Sequence, residues 1–351
     1  MDRRAEAAGT SFTVVQALRG LAALWVVLFH ASEGGHVDAL KAVLPRAVAA
    51  GVFDAGHYGV AVFFALSGFV IAHSLRDVAP SWAFLGRFAL RRSIRLDPPY
   101  WASMLVVVAL AAVSARAKGA PFVPPDAGTV GAHLLYLQVL LGRPAINVVY
   151  WTLTYEVQFY LFLAAMLVGA RRLSLRSGGR WAAIAWTAMT MLAVAGALGA
   201  FRAAPAGLFV SLWAPFFVGV LGYHAPSRGM ARLALAGLAA AMLMGPAGDG
   251  FLRISAATAI LLSIALATGW IAQGLDWAPL QFLGTISYSL YLLHNPLTGA
   301  TAFLSRRLFG EGLGGAASTL ALLLAVSIAG ATLFWWAVER AAHRLSRRVR
   351  L

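Results

Sequence analysis

Residues 12–31 read FTVVQALRGLAALWVVLFHA, a run in which only Arg19 and His30 are ionisable. A helix that crosses a bilayer needs roughly 20 mostly apolar residues, so this segment predicts a transmembrane span. Comparable runs recur along the chain and predict further spans at 57–75, 98–115, 148–169, 181–200, 206–223, 231–247, 252–271, 282–304 and 316–338. The expected fold is all-α: a polytopic integral membrane protein of about ten transmembrane helices. Composition points the same way, with 60% of 351 residues apolar, 12% charged and a mean hydropathy of +0.77. A soluble core cannot hide that much apolar surface, and the short polar connections leave no room for a soluble domain. Residues 1–351 are expected to form one membrane-embedded domain.

The net charge of +15 would suggest nucleic acid in a soluble protein. Here the basic residues sit between apolar runs, where they act as topology signals, and no nucleic-acid partner is expected. With both termini cytoplasmic, the inner segments hold 18 of the 28 Lys and Arg residues, including Arg3, Arg4, Arg176 and the five arginines from Arg340 to Arg350; the outer segments hold nine. That asymmetry favours cytoplasmic termini in a bacterial inner membrane. The N-terminal MDRRAEAAGT leads into its apolar run without a small-residue cleavage site, which predicts a retained first helix. The two longest outer loops, 32–56 and 116–147, carry short amphipathic pieces such as Val130 to Leu141 and are expected to frame a substrate entrance at the membrane surface. The chain has no cysteine, which excludes disulfides, thiolate metal sites and a cysteine nucleophile. No metal site and no permanently bound cofactor is expected.

Ionisable side chains inside a span cost about 2.5–3.5 kcal/mol each on insertion scales, so those that persist usually face a cavity or a partner. Eleven helical steps bring Arg19 and His30 to within about 20° of one face, roughly 16 Å apart. Either they belong to a polar stripe, or Arg19 snorkels inward while His30 caps the outer end. Glu156, in NVVYWTLTYEVQFYLFL, is expected near the depth of His30, where an acid can orient an imidazole and fix its tautomer. The bland alternative is an ion pair with Arg19. Around Glu156, the residues Trp151, Tyr155, Gln158 and Tyr160 offer donors or a face for a sugar ring. In RRSIRLDPPYW, Arg92 and Arg95 are three apart beside Arg91, so both guanidiniums point one way and suit phosphates, although basic residues at an inner helix end are also ordinary topology signals. Ser67 and Gly68 lie in the second span, where small residues usually mean close packing. The ninth span holds Ser287, Tyr288, His294 and Asn295 before Pro296, and His294 reads more naturally as a packing histidine than as a catalyst.

Taken in order, LRGLAALWVVLFHA, GVAVFFALSGFVI, RRSIRLDPPYW, WTLTYEVQFYL and ISYSLYLLHNPL resemble acyltransferase family 3, membrane enzymes that often O-acetylate bacterial surface and exported polysaccharides. The resemblance implies functional roles for Arg19, His30, Arg92, Arg95 and Glu156. It also implies acetyl-CoA as donor substrate and a carbohydrate acceptor at the outer face. On that footing His30, Glu156 and Arg19 are the expected catalytic group, with His30 as general base or transient acyl carrier. Arg91, Arg92 and Arg95 are expected to bind the donor, and Ser67, Trp151, Tyr155, Tyr160, Tyr288 and His294 to line the acceptor pocket. Val157 and Ala61 depart from the family pattern, at positions that bear on the substrate more than on the core chemistry. The competing expectation is a transporter or flippase for a lipid-linked sugar, which would also need buried charge along a path.

Overall fold

A computed structural model of the protein describes residues 12–77, 81–177, 179–245 and 249–351, without the side chain of Arg176. Arg3, Arg4 and that side chain, all counted in the charge asymmetry, lie outside the described residues. Within them the structure is all-α. Its helices are α1 (Thr13–Glu33), α2 (Asp38–Val43), α3 (Arg46–Val52), α4 (Gly59–Ser74), α5 (Trp82–Ala117), α6 (Ala127–Leu134), α7 (Trp151–Ser177), α8 (Arg180–Ala197), α9 (Trp213–His224), α10 (Gly229–Met244), α11 (Gly250–Ala267), α12 (Ala278–Phe309), α13 (Leu313–Phe334) and α14 (Arg340–Ser346). A π-helical turn, Trp335–Glu339, joins the last two.

Each expected span falls on a helix. Six helical segments among the described residues are long and apolar enough to cross a membrane, and two shorter apolar helices, Phe209–His224 and Gly229–Met244, accompany them. The remaining two expected spans coincide with α8 and α12. Helix α12 is diluted by polar residues because Ser287, Tyr288 and His294 face inward. Large apolar side chains such as Leu105, Val113, Leu233, Ile264 and Leu333 point outward and exposed from four different helices. Only lipid accommodates such a surface, so the chain is a multi-pass membrane protein.

Small residues set the closest helix contacts. On α1, Val14, Ala17, Gly20, Ala23, Val27 and Ala31 recur at three- and four-residue spacing and are all buried. A side chain on Gly20 would meet the backbone of Gly284 on α12, and one on Gly284 would meet the backbone of Gln16. The two helices therefore touch at backbone distance one residue from Arg19. Gly68 of α4 and Gly219 of α9 form the second such contact, each lying against the other helix's carbonyls. Gly68 is thus the packing residue, while its neighbour Ser67 turns elsewhere.

Two boundaries differ from expectation. The third span does not begin at 98: α5 is continuous from Trp82 and runs through Pro98 and Pro99. Ser81 starts it by accepting the Phe84 N–H at 3.1 Å, and Phe84 and Phe88 bury an apolar side that the arginines obscure in the sequence. At about 1.5 Å per residue its 36 residues exceed the roughly 30 Å hydrocarbon core, so the arginine-bearing part extends beyond it. In the 116–147 loop the amphipathic piece is α6, ending at Leu134 rather than Leu141, because Tyr136 adopts a left-handed conformation (φ 59°).

Asp126 caps α6, accepting hydrogen bonds from the Thr129 hydroxyl (2.7 Å) and backbone N–H (3.0 Å). These bonds, the hydroxyl's first, hold the carboxyl below the usual carboxylate range. A depressed folded-state value means that the cap's contribution is present above the unfolded-state value and is lost as pH falls through the folded one. Amide exchange at Thr129 and Val130, corrected for intrinsic rate, is expected to quicken across that acidic window. Asp126→Asn, which caps without titrating, is expected to flatten the dependence. Protection that stays level in the native protein as pH falls would show that the carboxylate does not hold the turn.

Candidate active site

The polar residues of six segments meet in one internal cavity of about 100 Å³. Arg19 comes from α1, Ser67 from α4, Arg92 and Arg95 from α5, Glu156 and Tyr160 from α7, and Ser287, Tyr288 and Tyr291 from α12. Glu339, from the π-helical turn, completes the lining. Glu156 is fixed by two hydroxyls: Ser67 Oγ donates at 2.8 Å, and the Tyr160 hydroxyl, one turn along α7, donates to the same oxygen. The Arg92 guanidinium lies 4.8 Å from the centre of the Tyr160 ring, so an arginine, a tyrosine, a carboxylate and a serine form one chain across the cavity. Glu339 accepts from Ser289 Oγ (2.5 Å) and Ser289 N (3.2 Å), tying the last helix to α12. Three guanidiniums against two carboxylates leave a formal excess of one positive charge in the lining.

Arg92 and Arg95 also line a second cavity, of about 530 Å³, between α4, α5 and α14. Its wall includes Arg76, Arg87, Arg91 and Arg347, with Asp77 opposing them. These arginines come from three segments that the charge asymmetry assigns to one side, and the structure gathers them at one end of the bundle. Arg92 reaches Ser74 at this mouth through Nη2 at 3.4 Å. The three-residue spacing of Arg92 and Arg95 on a true helix is why both face the same two cavities. Such a wall is chemically suited to phosphate groups.

His30 does not join Glu156. The ring packs at the other end of α1, where Nδ1 lies 3.0 Å from the Val26 carbonyl and 3.3 Å from His294 Nε2. The acid beside it is Glu33, with Oε2 3.8 Å from His30 Nε2. The expectation that Glu156 lies near the depth of His30 and orients it is therefore corrected: Glu156 shares the cavity with Arg19, eleven residues along α1 from His30, and is held there by Ser67 and Tyr160. Tyr291 connects the two places, since it lines the cavity and its ring lies 6.0 Å from that of His294. The Tyr291 hydroxyl, within 2.8 Å of Thr152 Oγ1 and 2.9 Å of the Val149 carbonyl, anchors α12 to the start of α7.

The remaining expected pocket residues divide. Ser67, Tyr160 and Tyr288 line the cavity, with the Tyr288 hydroxyl donating to the Leu96 carbonyl at 3.1 Å. Tyr155 does not: its hydroxyl is buried and accepts the Gly207 N–H at 2.8 Å, while Gln158 bonds the Gly207 carbonyl and the Phe209 N–H. Both clamp the loop before α9. Trp151 packs edge-on against Phe64 and Tyr155 and stays exposed at the rim. Arg91 lines only the basic cavity, and His294 is fully buried outside the main one.

Sequence reasoning missed Glu339. It lies just past the expected end of the last span at 338, followed by the tail arginines, and so reads as part of a solvated tail. The helical hydrophobic run continuing into a lone acid, TLFWWAVER, was the available signal. The π-helical turn, a device frequent at functional sites, aims that acid into the bundle.

Comparison with known proteins is consistent with this architecture. No curated protein and no solved structure matches the chain. The model of an acyltransferase domain, that of family 3, matches residues 13–338, which takes in every cavity-lining residue of α1 through α12 and stops one residue short of Glu339. A match over nearly the whole length identifies the protein as a membrane acyltransferase, and the chain belongs to acyltransferase family 3.

Proposed function

We propose that the protein transfers an acetyl group from acetyl-CoA to a hydroxyl of a cell-surface or exported polysaccharide, or of its lipid-linked precursor, in a bacterial inner membrane with both termini cytoplasmic. The observation that carries this reading is the sharing of Arg92 and Arg95 between the basic cavity and the internal one. A polyanionic donor held at the arginine wall has its phosphates outside and its thioester arm directed inward, past Arg19 and the excess positive charge. Tyr291 and Phe63, whose rings are 5.6 Å apart, then stand between that arm and the His30–His294 pair.

At His30, the acceptor hydroxyl gives its proton to Nε2 as its oxygen attacks the thioester carbonyl carbon. The tetrahedral intermediate expels the thiolate, which takes the proton from the imidazolium. An ester has formed, a C–S bond has broken, and CoA leaves as a thiol with His30 neutral again. Nε2 is also the atom that would carry the acetyl group if donor and acceptor reacted in turn.

The deciding experiment compares cell-surface glycans from cells with and without the protein, together with label transfer from acetyl-CoA by purified protein. One missing ester and CoA-dependent labelling are expected. Movement of a lipid-linked sugar across the membrane without dependence on CoA, and with no ester lost, would establish a flippase instead.

A further inference from the structure

His294 is fully buried, its hydrogen bonds are all assigned, and its position outside the main cavity gives it no part in binding substrate there. Its Nδ1 lies 3.1 Å from the Leu290 carbonyl and 2.9 Å from the Tyr291 carbonyl. Carbonyl oxygens only accept, so Nδ1 carries the hydrogen, and in a neutral ring Nε2 is then a bare acceptor. That acceptor faces His30 Nδ1 at 3.3 Å. The other neighbour of His30 Nδ1 is the Val26 carbonyl at 3.0 Å, again an acceptor. His30 Nδ1 must therefore be the donor, shared between the two, and the lone pair of His30 sits on Nε2. The opposite tautomer of either ring would set a carbonyl against a lone pair in a buried place and leave a polar group unpaired, which costs about 1–3 kcal/mol.

We propose that His294 is a positioning residue that holds His30 in the Nδ1–H tautomer, so that His30 Nε2 is the base. This rests on the acyl-transfer reading above and deepens it: the orienting partner expected of an acid is supplied by a second histidine. When Nε2 takes the acceptor's proton, both N–H groups of the imidazolium have partners. Nδ1–H keeps His294 Nε2, and Nε2–H faces the Glu33 carboxylate, 3.8 Å away. The bare Nε2 before reaction and the paired imidazolium after it are what a general base needs.

The test has two readouts. In protein labelled with ¹⁵N-histidine, the spectrum of His30, assigned by its loss in His30→Ala, is expected to show the Nδ1–H tautomer; in His294→Phe, which keeps a ring but no acceptor, it is expected to move toward Nε2–H. In the transfer assay, His294→Phe is expected to lower kcat about 10- to 10²-fold with donor KM unchanged, a part of the roughly 10²–10⁴ a general base supplies. His294→Gln, whose carbonyl oxygen can accept from His30 Nδ1, is expected to restore most of that loss. An Nε2–H tautomer in the native protein overturns the proposal, and this needs no variant to fold. So does a tautomer that His294→Phe leaves unchanged, or a His294→Gln as slow as His294→Phe. If the protein moves no acyl group but the tautomers are as described, the pairing stands and the proposed function falls.

Discussion

His30→Ala is expected to lower the rate of acyl transfer about 10²–10⁴-fold, the span that a positioned general base contributes, while leaving donor affinity nearly unchanged. The separation follows from the geometry. The arginines suited to the donor's phosphates line cavities that His30 does not line, and the ring touches Val26, His294 and Glu33 instead. Its side chain is only 11% exposed and packs against Phe29 and His294, so the rate comparison is made on variant protein shown to be folded by thermal unfolding. Initial rates in detergent, with donor and acceptor varied in turn, measure both quantities. Folded His30→Ala protein that transfers acetyl at the native rate would remove His30 from the mechanism. If the native protein instead gives parallel lines and a labelled histidine adduct that His30→Ala abolishes, Nε2 is an acyl carrier, and the loss in the variant reflects a missing nucleophile.

How much of this was legible in the sequence depends on what kind of fact each residue carries. Ten apolar runs were readable because each is a local property, and all ten fall on helices. Arg19 and Glu156 were readable because charge within a span is costly, Arg92 and Arg95 because they lie three apart at a helix end, and Ser67 through the family resemblance; all five line one cavity. Relative depth between helices was not readable: Glu156 was expected beside His30 but lines the cavity with Arg19, eleven residues along α1. Rotation about the helix axis was not readable either. It is set by contacts such as Gly20 on Gly284 and Gly68 on Gly219, and these turn Glu156 toward Ser67 and leave His30 to His294. Tyr155 misled for the same reason, since aromatic residues flanking an acid look alike until one is found holding the Gly207 amide.

Glu339 is where a local reading fails most and where the structure expects most. Glu339→Ala is expected to destabilise the protein by about 3 kcal/mol, the lower end of what breaking a buried charge arrangement costs, because the cavity admits some solvent. Two contributions are lost together: the acceptor for Ser289, and one of only two carboxylates that balance Arg19, Arg92 and Arg95. Thermal unfolding in detergent of three proteins separates them. Glu339→Gln keeps an oxygen for Ser289 but not the charge, so it is expected to fall between the native protein and Glu339→Ala. Adding Arg19→Met to Glu339→Gln removes one positive charge as well, restores the excess of one, and is expected to recover much of the loss, a coupling that a double-mutant cycle reads directly. A Glu339→Gln as stable as the native protein would reduce Glu339 to a hydrogen-bond acceptor. The charge balance would then lie with Glu156 alone, and the positive excess facing a polyanionic donor would be larger than the cavity's lining suggests.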